Sequence, residues 1–185
     1  MASAKSGRNL IMFSMWMEIP STPAAAAAAA ASAANGGKPA AKQYEFVSGG
    51  GRAIHFWTVR GSSLKKDSGR FGVKFKQVPL LCATSFNTNA GVRVAAGTCT
   101  GAIYVFSDRD VVDEFQNHHL GRVTAMTTAM EGTFVISGSS DGSVCVHNSE
   151  LQPVSLFDVK KVRVYCVCVL QISSPICHRV GPDCA

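Results

Sequence analysis

Short runs of β-branched and aromatic residues, alternating with polar ones, fill the middle of this chain, and glycine-rich turns join them in pairs. The pairs lie at residues 46–59 (FVSGGGRAIHFWTV), 92–107 (VRVAAGTCTGAIYVFS) and 134–149 (FVISGSSDGSVCVHNS). Alternation with a period of two residues, bounded by glycine turns, predicts β-hairpins. Equivalent positions follow one another after 49 and then 41 residues, at Ile54, Ile103 and Val144. The chain therefore repeats a hairpin unit.

The spacing predicts a β-propeller, in which each blade is a four-stranded sheet of about 40 to 45 residues. We predict the strands of the second unit at residues 80–86, 92–96, 102–106 and 111–115. We predict those of the third at residues 123–130, 134–137, 143–147 and 154–157. The first unit shows only its middle hairpin. Because a propeller closes with about four to eight blades, we predict an all-β propeller fragment of about two and a half blades.

Composition divides the chain into three regions. Residues 1–43 are rich in Ala, Ser and Gly and are expected to form a disordered leader, whereas residues 44–158 carry the repeats. Residues 159–185 form a basic tail that we expect to lie outside the propeller. The apolar stretch LIMFSMWMEI at 10–19 is too short for a membrane span, which takes about 20 residues. Its basic and small flanking residues also match a weak signal peptide, so both interpretations of this stretch stay open.

The tail holds four of the seven cysteines. With His178, the candidate zinc ligands are Cys166, Cys168, Cys177 and Cys184. The paired C-x-x-C spacing of zinc sites is absent, so we predict no metal site. The alternation of Val162, Val164, Cys166 and Cys168 is typical of a strand. A tail from an altered reading frame or a retained intron would give the same pattern.

The net charge of +6 lies in the tails. Residues 44–158 contain ten Lys and Arg against ten Asp and Glu. A nucleic-acid-binding domain gathers basic residues on its folded body, so we predict no nucleic-acid partner. Cys82, Cys99 and Cys145 fall at apolar strand or turn positions, where free cysteine behaves as a small hydrophobe. This pattern indicates a reduced, cytoplasmic protein.

The third unit carries the most specific local signature. His119 precedes its first strand, and Ser137, Asp141 and Gly142 follow at the second strand and its turn. This arrangement resembles the WD repeat, in which such residues and a tryptophan of the third strand form a buried polar network. Here His147 and Asn148 stand at the tryptophan and aspartate positions. We therefore expect a degraded network in this unit.

The other two units differ at the tryptophan position. Trp57 with Thr58 keeps the tryptophan in the first unit, while Phe106 with Ser107 replaces it in the second. No unit holds the full set of WD-repeat residues.

Several segments in sequence order resemble the echinoderm microtubule-associated protein-like family. They are the shortened turn in FVSGGGRAIHFWTV, the connector GSSLKKDSGRFG (61–72), GTCTGAIYVF, NHHLGRVTAM and SGSSDGSVCVHNSE. The resemblance covers about residues 44–158 and implies a WD40-type propeller. It also implies a non-catalytic scaffold that binds tubulin or microtubules, lies in the cytoplasm on the cytoskeleton and meets other proteins through the propeller rim.

One basic cluster lies in the repeat region, at Lys65, Lys66, Arg70, Lys74 and Lys76. It is a candidate contact for the acidic microtubule surface. The alternative is a solvated loop and outer strand.

Residues 138–142 match G-x-S-x-G, the nucleophile elbow of α/β-hydrolases. That elbow needs a helix after its turn, whereas an alternating strand follows Gly142. Residues 97–101 occupy the same turn with cysteine in the serine position. We therefore predict neither catalysis nor a cofactor. Two alternatives to microtubule binding stay open: a generic WD40 adaptor of a ciliary or signalling assembly, and a truncated gene product without independent function.

Overall fold

The computed structural model describes residues 13–17, 43–116, 118–159, 164–165 and 167. These residues build three four-stranded antiparallel sheets, and within each sheet the strands lie side by side in chain order. The first sheet contains β1 (Phe13–Met17), β2 (Gln43–Gly50), β3 (Ala53–Arg60) and β4 (Ser63–Ser68). The second contains β5 (Leu80–Thr88), β6 (Gly91–Thr98), β7 (Ile103–Ser107) and β8 (Asp110–Phe115). The third contains β9 (Val123–Ala129), β10 (Phe134–Ser139), β11 (Ser143–His147) and β12 (Pro153–Asp158).

A four-stranded antiparallel meander is the blade of a β-propeller. The prediction of an all-β, WD40-type propeller fragment is confirmed, with three complete blades instead of about two and a half. No helix in the described part of the chain is long and apolar enough to cross a membrane.

The first blade differs from the sequence prediction. Its innermost strand, β1, comes from the region assigned to a disordered leader and pairs with β2, with Phe13 opposite Gly49 and Met15 opposite Val47. Phe13 and Met15 pack against the apolar cluster between the first two sheets. Burial of these side chains accounts for a strand here, so the leader assignment is wrong for residues 13–17. Residues 10–12 and 18–19 of the apolar stretch lie outside the described residues.

The C-terminal tail also departs from its predicted place outside the propeller. The Val164 amide donates a hydrogen bond to the Ser139 carbonyl at the end of β10, at 3.1 Å. At this residue the tail contacts the third blade.

Apolar side chains between neighbouring sheets hold the blades together. One buried cluster joins the first and second sheets and includes Val47, Ile54, Phe56, Tyr104 and Phe106. A second joins the second and third sheets and includes Phe86, Ile103, Val105, Val123 and Val135. Burying apolar surface between sheets is the main favourable term in this arrangement. The core therefore lies between blades.

The turn at Gly101 offers a test of how closely the second and third blades approach. Gly101 has a φ of 91°, and a Cβ there would lie 2.5 Å from the His119 carbonyl oxygen. Gly91 has a φ of 111°, but nothing lies within 4 Å of its Cβ position. Alanine at either site incurs left-handed strain of about 1–2 kcal/mol.

Gly101→Ala is expected to cost about 1–3 kcal/mol more than Gly91→Ala, because it also displaces backbone of the third blade. Urea unfolding midpoints of the two variants measure the difference. Equal midpoints would contradict close contact between this turn and the segment before β9.

Candidate functional site

A set of buried polar side chains lies on the face of the third sheet that packs against the second sheet. Ser137 on β10 and His147 at the end of β11 are completely buried, and His119, in the segment before β9, is 5% exposed. Asp141 lies in the turn between β10 and β11, followed by Gly142 with a φ of 92°. The hairpin thus brings together the four WD-repeat residues predicted for this unit.

Hydrogen bonds connect these side chains in a line. The Ser143 hydroxyl donates to Asp141 Oδ1 at 2.5 Å, and His119 Nδ1 lies 2.5 Å from Ser143 Oγ. On the other side of the His119 ring, Nε2 lies 2.7 Å from Ser137 Oγ. Ser137 Oγ lies in turn 2.8 Å from His147 Nε2.

The charge of Asp141 fixes the direction of the first bonds. Burial would raise the pKa of this carboxyl, but hydrogen bonds from the Ser143 hydroxyl and amide and from the Gly121 amide hold the pKa well below its usual range. An ionised carboxylate only accepts hydrogen bonds. Ser143 must therefore use its one hydroxyl hydrogen toward Asp141, so its oxygen accepts from His119 Nδ1–H.

The same reasoning assigns the rest of the line. A neutral imidazole that donates from Nδ1 accepts at Nε2, so the Ser137 hydroxyl donates to His119. Ser137 then accepts from His147 Nε2–H. The other ring nitrogen, His147 Nδ1, lies 3.9 Å from the Cys145 thiol. Every polar side-chain atom along this line has a partner, which is the condition for a buried network to rigidify its surroundings.

Neutral histidines are what this environment favours. Burial, together with the charges of His118 and His119, lowers the pKa of His147 to about 4. Burial also lowers the pKa of His119, against the opposing effect of Asp141, and lowers the pKa of His118. The rings of His118 and His147 lie 5.0 Å apart.

The expectation of a degraded network does not match this geometry. In the first blade, Trp57 Nε1–H donates to Ser48 Oγ at 2.8 Å. By strand register, Ser48 corresponds to Ser137 and Trp57 corresponds to His147. Histidine therefore replaces tryptophan as the donor to the same serine.

The second blade has an apolar pair in this place. Ala96 and Phe106 occupy the positions of the serine and the tryptophan, and both are buried. Residue type at the two positions thus changes together, so that no buried donor or acceptor is left alone.

Sequence reasoning missed Ser143, the link between Asp141 and His119. The available signal was its position two residues after an aspartate in a turn, where aspartate commonly accepts from the backbone. Asp141 Oδ1 accepts from the Ser143 amide at 2.8 Å. Asn148, at the family's aspartate position, lies outside the line and accepts instead from the Glu150 and Gln152 amides.

The residues of the G-x-S-x-G match form an ordinary hairpin turn. The strand β11 begins at Ser143, directly after Gly142, where a nucleophile elbow would require a helix. The Ser140 hydroxyl accepts from the Arg122 amide at 3.0 Å. Ser137, which bonds to both His119 and His147, is completely buried.

The described cysteines lie in the second and third blades. Cys82, Cys99 and Cys145 are free thiols. Burial raises the pKa of Cys82 to about 12, so it is a neutral thiol. Within the described ranges, no group of three or more His, Cys, Asp or Glu side chains is arranged to hold a metal ion. The zinc candidates Cys166, Cys168, Cys177, His178 and Cys184 lie outside those ranges.

The predicted basic cluster separates into three environments. Lys65 forms an ion pair with Asp67 at 3.2 Å, and Lys66 lies 5.5 Å above the Trp57 ring. Arg70 makes two hydrogen bonds to Asp110, at 2.6 and 2.7 Å.

Lys74 and Lys76 lie in the third environment. Both are exposed, form no ion pair within the described part of the chain, and line an open cavity of about 430 Å³ beside Tyr104 and Glu114. The five side chains therefore lie in different surroundings.

Two of the known proteins that this chain resembles are of the same kind. The chain is 32% identical over 108 residues to echinoderm microtubule-associated protein-like 2 of Mus musculus and 30% identical over 108 residues to that of Rattus norvegicus. Each match covers 57% of this chain and 16% of the relative's length. Among solved structures, the C-terminal WD40 domain of Sif2 is 13% identical with a TM-score of 0.48, covering 63% of this chain and 34% of that one. No protein-family model matches the chain.

Proposed function

We propose that this chain, a partial WD40-repeat protein that resembles the echinoderm microtubule-associated protein-like family, is a non-catalytic cytoskeletal scaffold that binds tubulin or microtubules. The observation that carries the proposal is the 32% identity over 108 residues to a protein whose name describes it as microtubule-associated. The chain contains WD40-type blades, and such blades serve protein interaction through the surfaces they present.

The buried network supports a structural role for the most specific residues of the chain. Its two central members, Ser137 and His147, are completely buried, so they have no access to a substrate. On this proposal, function lies in the surfaces of the blades, and the network stabilises the third blade that presents them. The proposed location is the cytoplasm, on the cytoskeleton.

Lys74 and Lys76 are the proposed contact with the acidic microtubule surface. Lys65 and Arg70 already face carboxylates and Lys66 lies on an aromatic ring, so these three are less available to a partner. Lys74 and Lys76 line the same open cavity, whose lining also includes Glu114, so this surface carries two lysines beside one carboxylate. Complementary charge of this kind favours encounter with an acidic partner.

The test is co-sedimentation of the intact chain with taxol-stabilised microtubules at moderate salt. The double variant Lys74→Glu/Lys76→Glu is expected to bind about tenfold or more weakly, because it reverses two unpaired charges at the contact. Lys65→Glu/Lys66→Glu is the matched control, since it changes the net charge of the chain by the same amount. Equal loss in both variants would indicate unspecific attraction and remove the assigned contact.

If the folded wild-type chain stays in the supernatant, microtubule binding itself is excluded. The generic WD40 adaptor then becomes the better account.

A further inference from the structure

One face of the third sheet, directed away from the second, carries apolar side chains that are only half-buried. They are Ile136, Val144 and Val146. By register, the corresponding residues of the second sheet are Ala95, Ile103 and Val105, and all three are buried beneath the third sheet. Both sheets therefore present the same kind of face, and the second already has a covering sheet.

Two residues of the C-terminal tail lie on this face. A Cβ added at Gly138 would lie 2.5 Å from Val164 Cγ1 and 2.9 Å from Val167 Cγ2. The Val164 amide donates to the Ser139 carbonyl at 3.1 Å, and its carbonyl accepts from the Thr124 hydroxyl. Backbone and side chains of the tail thus both contact the third sheet.

The same contact occurs one blade earlier. A Cβ at Gly97 would lie 2.6 Å from Val123 Cγ1, and Val123 begins β9, the innermost strand of the third blade. Gly97 precedes Gly138 by 41 residues, and Val123 precedes Val164 by 41 residues. Val164 therefore lies against the third sheet as Val123 lies against the second.

We propose that the C-terminal tail at Val164 and Val167 covers the open face of the third sheet, in the place that β9 takes on the second sheet. The tail would then continue the repeat, with Val164 in the position that Val123 has in the third blade. This inference goes beyond the proposed function. It makes the third sheet's outer face an internal interface, so that a partner must bind elsewhere on the blades.

Hydrogen–deuterium exchange of the intact chain, read by mass spectrometry, tests the proposal. In the wild type, peptides from residues 160–169 are expected to exchange at least tenfold more slowly than an unstructured chain. Gly138→Ala is expected to remove this protection, because its methyl group occupies the space of the Val164 side chain. The double variant Gly138→Ala/Val164→Ala is expected to restore part of this protection, because the two γ-methyl groups of Val164 are then absent and the new methyl group at residue 138 has room. Tyr165→Ala is the control, because this side chain is 69% exposed.

Peptides from residues 94–106 and 134–147 report whether the blades themselves stay folded in each variant. Wild-type peptides from 160–169 that exchange at the unstructured rate, while 134–147 stays protected, would overturn the proposal. So would a Gly138→Ala chain whose 160–169 peptides keep full protection. If Gly138→Ala unfolds the third blade, rescue by Val164→Ala supports the contact, and absence of rescue contradicts it.

Discussion

Replacing Ser137 with alanine is expected to lower the free energy of unfolding by about 3 kcal/mol, because two buried ring nitrogens each lose a partner at about 1–3 kcal/mol. The Ser137 hydroxyl donates to His119 Nε2 and accepts from His147 Nε2–H, at 2.7 and 2.8 Å. Neither ring can reach water in its place, since His147 is completely buried and His119 is 5% exposed. One small substitution thus breaks the line of hydrogen bonds at its centre.

Urea unfolding followed by far-UV circular dichroism measures this loss. Ser63→Ala is the matched control, because it makes the same chemical change at an exposed position on β4. The free energy of unfolding of this control is expected to stay within about 0.5 kcal/mol of the wild-type value. Equal shifts in the two variants would contradict the assigned network.

Acid is expected to destabilise the third blade in a window set by its histidines. The pKa of His147 is about 4 in the folded chain, against an ordinary value of 6.5. The unfolded chain therefore binds a proton in this range that the folded chain does not. The stabilisation is complete above pH 6.5 and is lost as the pH falls toward 4. The loss is on the order of 3 kcal/mol at pH 4 from this residue.

His147→Gln is the variant that isolates this effect. Glutamine can donate an N–H to Ser137 but does not titrate, so the fall in stability between pH 6.5 and 4 is expected to be smaller than in the wild type. Asp141 acts in a separate pH window. Because its pKa is lowered in the folded chain, the stabilisation from its carboxylate is complete above the ordinary carboxyl pKa and is lost only as the pH falls below that value. Parallel pH profiles for the wild type and His147→Gln would contradict the role given to His147.

The strands of the second and third blades were predictable because each alternates over a short run and ends at a glycine turn. The prediction of 80–86 and 111–115, for example, agrees with β5 (Leu80–Thr88) and β8 (Asp110–Phe115) to within two residues. The strand β1 was not predictable in this way. It is separated from β2 by residues 18–42, and only the tertiary packing of Phe13 and Met15 selects a strand there.

The residues of the buried network were predictable from the sequence, but the hydrogen bonds between them were not. The resemblance to the WD repeat indicated His119, Ser137 and Asp141, but the replacement of tryptophan by His147 suggested a loss of bonding. Strand register decides otherwise, because it places an imidazole N–H where the indole N–H lies in the first blade. The ion pairs of the basic cluster were not predictable for a related reason. Arg70 binds Asp110 from 40 residues away, a distance over which sequence spacing gives no information.

The two apolar clusters between the sheets are expected to join the three blades into one cooperative unit. Both tryptophans of the chain, Trp16 and Trp57, lie in strands of the first sheet, whereas far-UV circular dichroism reports all twelve strands. Urea unfolding of the intact chain followed by both signals is the most direct test. A stacked set of blades predicts coincident transitions, with Ser137→Ala in the third blade shifting the tryptophan signal of the first. Separate transitions, or a tryptophan midpoint that does not move with Ser137→Ala, would contradict it.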